Sequence, residues 1–338
     1  MSWRIRPARG SDLDAVSALA DMTGGGFTNL PQNREALAQR LARSDASFAR
    51  ADGLPPEDEL YILLLEEVGS GRIGGCGMVF SRIGSEWPFF SYKLGTLSQT
   101  SKKLGRSFAI QFLSLTTDHD GASEVGGLFL HPDLRTGGLG RLLARARYLF
   151  IAQHRARFGD KLLAELRGVL DEAGDSPFWN ALGRQFFGMG FPEADRFNAC
   201  HGNQFIADLM PKHPIYTALL PEAARSVIGQ PHPSGRAALA MLMTEGFSYD
   251  NYVDIFDGGP TVTARTDQVR SIRDSRLVAI ERLEDAPASP QRALIASGAL
   301  TDFQTFIGHV CDDGRVLARG EAEVMGLKPG DMIRHVAF

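Results

Sequence analysis

The sequence predicts a mixed α/β fold of the α+β kind, with a small β-barrel-like domain at its C-terminal end, on three observations. Two apolar runs, 61–67 and 73–80, flank the turn sequence Val68-Gly69-Ser70-Gly71 and read as a hairpin. A strand-like segment at 124–130 is followed by a glycine-rich turn. Apolar residues then fall at 139, 142, 143, 146, 149 and 150, the i, i+3, i+4, i+7 stripe of a helix packed on a sheet. Beyond residue 260 the chain offers mainly short strand-like segments around the break Asp285-Ala286-Pro287-Ala288-Ser289-Pro290.

Taken in order, residues 3–7 read as a first strand. Ser11 is placed to cap a helix carrying Leu13, Val16 and Ala20 at helical spacing. Gly24-Gly25-Gly26 ends it, and a second helix is expected over 33–43. After the hairpin come the strand at 124–130, the helix at about 137–153, a strand over 161–170, and a helix over 178–189 ending in Gly190-Phe191. The stretch 235–247 echoes that last helix, ending in Gly246-Phe247 before a strand at 252–256, which leaves open a second, degenerate half of the same fold. Short strands follow at 292–295, 303–310 and 332–336, so the expected division is a region 1–260 and a β-rich domain 261–338.

Composition narrows the function classes. A chain of 338 residues, 43% hydrophobic, buries a sizeable core without disulfides or metals. Its net charge of -4 argues against a nucleic-acid partner. Cys76, Cys200 and Cys311 are odd in number, far apart and outside any Cys-x-x-Cys, so reduced structural cysteines are expected, with no disulfide framework or cysteine zinc site. The first residues lack the apolar core of a signal peptide, and runs such as 62–65 are too short to span a bilayer, so a cytoplasmic protein without a membrane partner is expected.

The most informative local feature is Arg135-Thr136-Gly137-Gly138-Leu139-Gly140, between a strand and an amphipathic helix. Glycines there let backbone approach a ligand, and the unpaired N–H groups of a first helical turn suit a pyrophosphate. Arg141, Arg145 and Arg147 on the same helix suit either cofactor phosphates or a solvated basic face. The order Arg-x-Gly-Gly-x-Gly resembles the coenzyme A pyrophosphate loop of GNAT-type acyltransferases, which implies a GNAT-like fold and makes Arg135, Gly137, Gly138 and Gly140 the expected donor-binding residues.

Longer segments resemble the arginine N-succinyltransferase family. They include Thr23-Gly24-Gly25-Gly26-Phe27-Thr28-Asn29-Leu30-Pro31, Leu128-Phe129-Leu130-His131-Pro132-Asp133, Ala164-Glu165-Leu166-Arg167-Gly168-Val169 and Tyr252-Val253-Asp254-Ile255-Phe256-Asp257-Gly258-Gly259-Pro260. The resemblance implies transfer of a succinyl group from succinyl-CoA, a co-substrate rather than a resident cofactor, to the α-amine of L-arginine. It implies a homo-oligomer or pairing with a homologous subunit. It carries the family's proton-donor histidine onto His232, in Gly229-Gln230-Pro231-His232-Pro233, and a succinyl-CoA contact onto Leu128. The family's Cys-Thr before that leucine is Gly126-Gly127 here, and its Val-His-Ala-Ser is Ser98-Gln99-Thr100-Ser101. The second change opens the alternative of ornithine or another amine as acceptor, and the family's two-subunit forms open that of a weakly active or regulatory subunit.

Acyl transfer needs a neutral amine near a thioester, carbonyl polarisation and proton transfer. His232, between two prolines, is the candidate acid/base; His119, His131, His201 and His213 compete. Asp118, Asp120 and Glu124 are candidates for the acceptor's amine or guanidinium, and Arg167 for a carboxylate clamp. No His-Glu-x-x-His occurs, and no metal is expected.

Overall fold

The computed structural model describes residues 2–23, 29–51, 54, 57–201 and 204–338, with the side chains of 199–201 outside the description. The first half runs β1 (Trp3–Pro7), α1 (Leu13–Asp21), α2 (Arg34–Ala49), β2 (Leu60–Glu67), β3 (Ile73–Phe80), β4 (Ser91–Ser101), β5 (Arg106–Thr116), β6 (Ser123–Leu130), α3 (Leu139–Gln153) and β7 (Lys161–Glu165). It continues α4 (Pro177–Ala181), α5 (Gly183–Phe187), α6 (Phe191–His201), α7 (Gln204–Leu209), β8 (Ile215–Tyr216), α8 (Glu222–Arg225), α9 (Arg236–Glu245), β9 (Ser248–Asp254) and β10 (Pro260–Arg265). The C-terminal part adds α10 (Arg270–Arg273), β11 (Arg276–Ala279), β12 (Arg282–Glu284), β13 (Gln291–Ser297), β14 (Gln304–Cys311), β15 (Val316–Ala318), α11 (Arg319–Val324) and β16 (Met332–Ala337).

The chain forms two compact units. The first contains residues 1–81, 123–160 and 265–338. Its strands run β11-β16-β13-β14-β1-β2-β3-β6. The C-terminal segment therefore joins the first unit instead of standing alone as a domain 261–338, because β14 pairs antiparallel with β1, Arg4 opposite Phe306. Leu37 and Leu41 of α2 and Val16 and Leu19 of α1 pack with Ile62, Leu64, Cys76 and Met78 of the hairpin strands. The α1 start differs from expectation. Ser11 lies in a short 3-10 turn, and Asp12 takes the end of the chain's turn, accepting the Arg9 N–H at 2.8 Å and pairing with Arg6. Asn33 caps α2 by accepting the Ala36 N–H at 2.9 Å, and that helix runs on to Ala49.

The second unit holds residues 82–122 and 161–264, with strand order β7-β10-β9-β4-β5-β8. Its core gathers Tyr92, Leu113, Phe178, Trp179, Ile206, Val253 and Ile255. The long β4–β5 hairpin, paired from Ser91↔Thr116 to Ser101↔Arg106, was not among the expected elements, although β5 carries Phe108, Ile110 and Phe112 in alternation; the outer half of both strands is exposed. The helix expected over 178–189 is two short helices. Gly183 packs on Trp179 so closely that a Cβ would lie 2.3 Å from the indole ring, and the chain turns there.

Candidate active site

In the first unit, β6 leads into the glycine turn as expected. Cys76 of β3 pairs with Phe129 and Met78 with Gly126, so Gly77 stands opposite both Gly127 and Leu128. This is a β-bulge, which leaves an extra residue outside the regular ladder. Gly127 has φ +56 there, a left-handed conformation that explains a glycine at this position. Leu128 is half-buried just beyond the bulge.

The turn that follows holds Gly137 (φ +69) and Gly138 (φ +88), and Gly138 is the N-cap of α3. Arg135 is exposed, its Nε donating to the Leu130 carbonyl at 3.4 Å. A Cβ on Gly137 would meet nothing within 4 Å, so the turn presents bare backbone to solvent. The first-turn amides of α3 have no carbonyl one turn behind them, and with the left-handed glycines they make a set of donors of the kind that suits an anion.

The basic residues of α3 divide in a way the sequence did not show. Arg141 is exposed and lies over the Phe338 ring, 4.3 Å to the centroid. Arg145 and Arg147 are buried, so neither belongs to a solvated basic face. Arg145 Nε donates to Ser271 Oγ at 2.8 Å and its Nη2 to the Ala337 carbonyl at 2.9 Å. Glu124 on β6 is buried, and burial pushes its carboxyl up to about 7 against the opposing pull of Asn29, Arg40 and Arg147. Cys76, also buried, donates to the Gly127 carbonyl at 3.4 Å, and its thiol is pushed up to about 12 by burial.

In the second unit, His232 follows Pro231 in extended conformation and caps the short 3-10 turn Pro233–Gly235 that leads into α9. Its N–H donates to the Arg167 carbonyl at 2.7 Å, and Pro231 forms a bridge with Gly168. Ser234 sets the ring: its N–H donates to Nδ1 at 3.3 Å and its Oγ lies 2.7 Å from the same atom. With Nδ1 an acceptor, the hydrogen-bond network assigns the proton of the neutral ring to Nε2. Burial, and then the nearby Arg167 guanidinium, hold the imidazole pKa below its usual value, so the ring is neutral at neutral pH.

Arg167 lies past the end of β7, because the chain leaves the strand at Glu165 to approach the turn between β9 and β10. Asp257 in that turn accepts the Gly168 N–H at 2.7 Å and the Gly259 N–H at 2.8 Å. A Cβ on Gly168 would lie 2.4 Å from the Asp257 carbonyl, and one on Gly259 2.1 Å from the Leu166 carbonyl, so both must be glycine. Sequence reasoning missed Asp257 as a holder of the His232 loop. The signal was an aspartate opening Asp257-Gly258-Gly259-Pro260, a composition in which a carboxylate commonly binds turn amides.

Asp118 and Asp120 also belong to this unit and are exposed. Asp118 Oδ2 accepts from the Tyr252 hydroxyl at 2.8 Å, and Asp120 Oδ1 accepts the Phe89 N–H at 2.7 Å. His119 is buried against Tyr252 with ring centroids 4.3 Å apart, and burial lowers its pKa to about 4. The side chain of His201 and the segment 24–28 lie outside the described residues. Among the described residues no cluster of three or more His, Cys, Asp or Glu comes together to hold a metal ion.

A family model described as "Arginine N-succinyltransferase beta subunit" matches residues 3–271. The chain belongs to the arginine N-succinyltransferase family. A relative from Enterobacter sp. (strain 638), named arginine N-succinyltransferase, is 42% identical over 335 residues, covering 98% of this chain and 96% of its own. One of the same name from Escherichia coli O139:H28 is 40% identical over 334 residues, with the same coverage of both chains. The solved structure of arginine/ornithine succinyltransferase subunit AI from Pseudomonas aeruginosa matches at a TM-score of 0.88 and 36% identity, covering 99% of this chain and 98% of that one. Among the described residues no helix is long and apolar enough to cross a membrane.

Proposed function

We propose that this chain moves the succinyl group of succinyl-CoA to the α-amine of L-arginine. The observation that carries the reading is family membership over nearly the whole chain, joined to an intact bulge, left-handed glycine turn and helix start in the first unit. Gly137, Gly138 and the first-turn amides of α3, with Gly140 and Arg135, hold the donor's pyrophosphate. Leu128 contacts the acyl portion, and the backbone N–H groups released from the ladder at Gly127–Leu128 polarise the thioester carbonyl. The neutral amine attacks that carbonyl directly, the C–S bond breaks, and the sulfur leaves as thiolate. His232 takes up the proton that the amine sheds, and the imidazolium so formed gives a proton from Nε2 to the thiolate.

Ornithine is the second acceptor to consider, since the Pseudomonas aeruginosa relative is named for both amino acids. Residues Ser98–Gln99–Thr100, which depart from the family pattern, are exposed at the outer end of the β4–β5 hairpin. The same hairpin exposes Leu104 and Phe108, which supports a contact with a second subunit, identical or homologous. The protein works in the cytoplasm on this reading. Asp118, Asp120 and Glu124 remain the candidates for the acceptor's cationic groups and Arg167 for a carboxylate clamp. The test is His232→Ala: turnover should fall about 10²–10⁴-fold while the Kd for coenzyme A stays unchanged. Near-normal turnover removes His232 from the chemistry.

A further inference from the structure

Two guanidiniums with little exposure in the first unit are matched by carboxylates. Arg6 pairs with Asp12 at 2.8 Å and Glu66 at 2.9 Å, and Arg157 with Glu59 at 3.0 Å. Arg147 is an exception. It is 3% exposed, yet among the described residues its Nε and Nη1 reach only the carbonyls of Ala144 and Gly126, each at 3.2 Å. No ion pair joins it to any described carboxylate, and its Nη2 donates to no described group. Arg40 on α2, half-buried, meets among the described residues only the Asn29 carbonyl, from Nη1 at 3.3 Å.

Both cations act on one carboxyl, that of Glu124, which burial itself drives toward the neutral form. A buried and a half-buried guanidinium near one carboxyl whose anion burial disfavours leave positive charge in excess, and a buried charge is normally paired. The position is informative. A Cβ on Gly77 would lie 3.2 Å from Arg147 Cδ and 3.7 Å from Leu128 Cδ1, so the bare strand at Gly77 lets the arginine stem pass beside Leu128 and the bulge.

We propose that Arg147, backed by Arg40, forms a carboxylate subsite beside the bulge of β6. The chemistry it takes is a carboxylate meeting a planar guanidinium in a dry setting. Two carboxylates qualify: the free end of a dicarboxylic acyl group, or the α-carboxylate of the acceptor amino acid. The subsite rests on the proposed acyl transfer and names what that reaction's substrates touch in the first unit.

The test compares wild type, Arg147→Met and Arg147→Lys in two ratios of kcat/KM. One is succinyl-CoA against acetyl-CoA with arginine as acceptor; the other is arginine against agmatine, its decarboxylated analogue, with succinyl-CoA as donor. Arg147→Met should lower one ratio by about 10–100-fold, with Arg147→Lys between it and wild type. Loss in the first ratio assigns the acyl carboxylate, and loss in the second the acceptor's. Both ratios unchanged in folded protein overturn the subsite, as does an equal loss on all substrates. A loss produced by Arg167→Met and not by Arg147→Met moves the clamp to Arg167 and also overturns it. Calorimetry of succinyl-CoA and acetyl-CoA binding reads the donor preference without turnover. A wild type that transfers no succinyl group but loses its succinyl-CoA binding preference on Arg147→Met sinks the proposed reaction and keeps the subsite.

Discussion

Asp257→Asn tests how the His232 loop is held. The two Asp257 oxygens accept buried N–H groups from Gly168 and Gly259 at 2.7 and 2.8 Å. Asparagine keeps one acceptor and turns an NH2 toward the other amide, leaving one buried donor unpaired at a cost of about 1–3 kcal/mol. At roughly 2–4 °C per kcal/mol for domains of 150–250 residues, Tm should drop by several degrees. The effect also reaches catalysis. Gly168 bridges Pro231, and the neighbouring Arg167 carbonyl takes the His232 N–H at 2.7 Å, so loosening Gly168 loosens the imidazole's mount. A displacement of about 1 Å in such a group costs on the order of 10²-fold, so kcat should fall about 10–100-fold. The KM for succinyl-CoA should hold, because the donor turn is built from residues of the other unit. Melting curves and steady-state thiol release measure both. A lowered Tm with unchanged kcat would refute the link from Asp257 to His232.

Two more predictions concern charge and backbone. Arg167 holds the His232 pKa down, so Arg167→Met should raise it, and the acidic limb of the kcat/KM profile should move to higher pH; a limb that stays put or moves to lower pH contradicts the coupling. Gly138 sits at φ +88, where a side chain costs roughly 1–2 kcal/mol, and a Cβ there would lie 2.8 Å from the Phe338 ring. Gly138→Ala should therefore distort the turn and weaken coenzyme A binding by about tenfold, 1.4 kcal/mol being a factor of ten. Unchanged affinity by calorimetry in the folded variant takes the turn out of the donor site.

Legibility in the sequence followed periodicity. The α3 helix is where its spacing put it, but burial is not confined to the expected face: Leu139 is half-buried, and every residue from Leu142 to Ile151 is buried; the hairpin of β2 and β3 is where its apolar runs put it. The β4–β5 hairpin was only half legible: Phe108, Ile110 and Phe112 alternate along β5, but β4 turns polar beyond Leu97, where it is exposed, and offers no matching run. The strand expected to reach 170 stops at Glu165, since long-range bonds from Asp257 and Pro231 draw Gly168 away. The join of β14 to β1 spans about the whole chain, and no local signal announces it. At the site, the glycine turn was readable because left-handed backbone demands glycine. The burial of Arg145 and Arg147 was not, because an arginine on a helix looks the same in sequence whether its head reaches water or a backbone carbonyl.

The most direct test of the account is to incubate the purified protein with succinyl-CoA and L-arginine and identify the product by mass and NMR. The account predicts stoichiometric release of free coenzyme A thiol and arginine succinylated on the α-nitrogen, formed with a higher kcat/KM than any acetylated product. Acetyl transfer that outpaces succinyl transfer, or a succinyl group carried to a different class of amine while arginine goes unmodified, would contradict it.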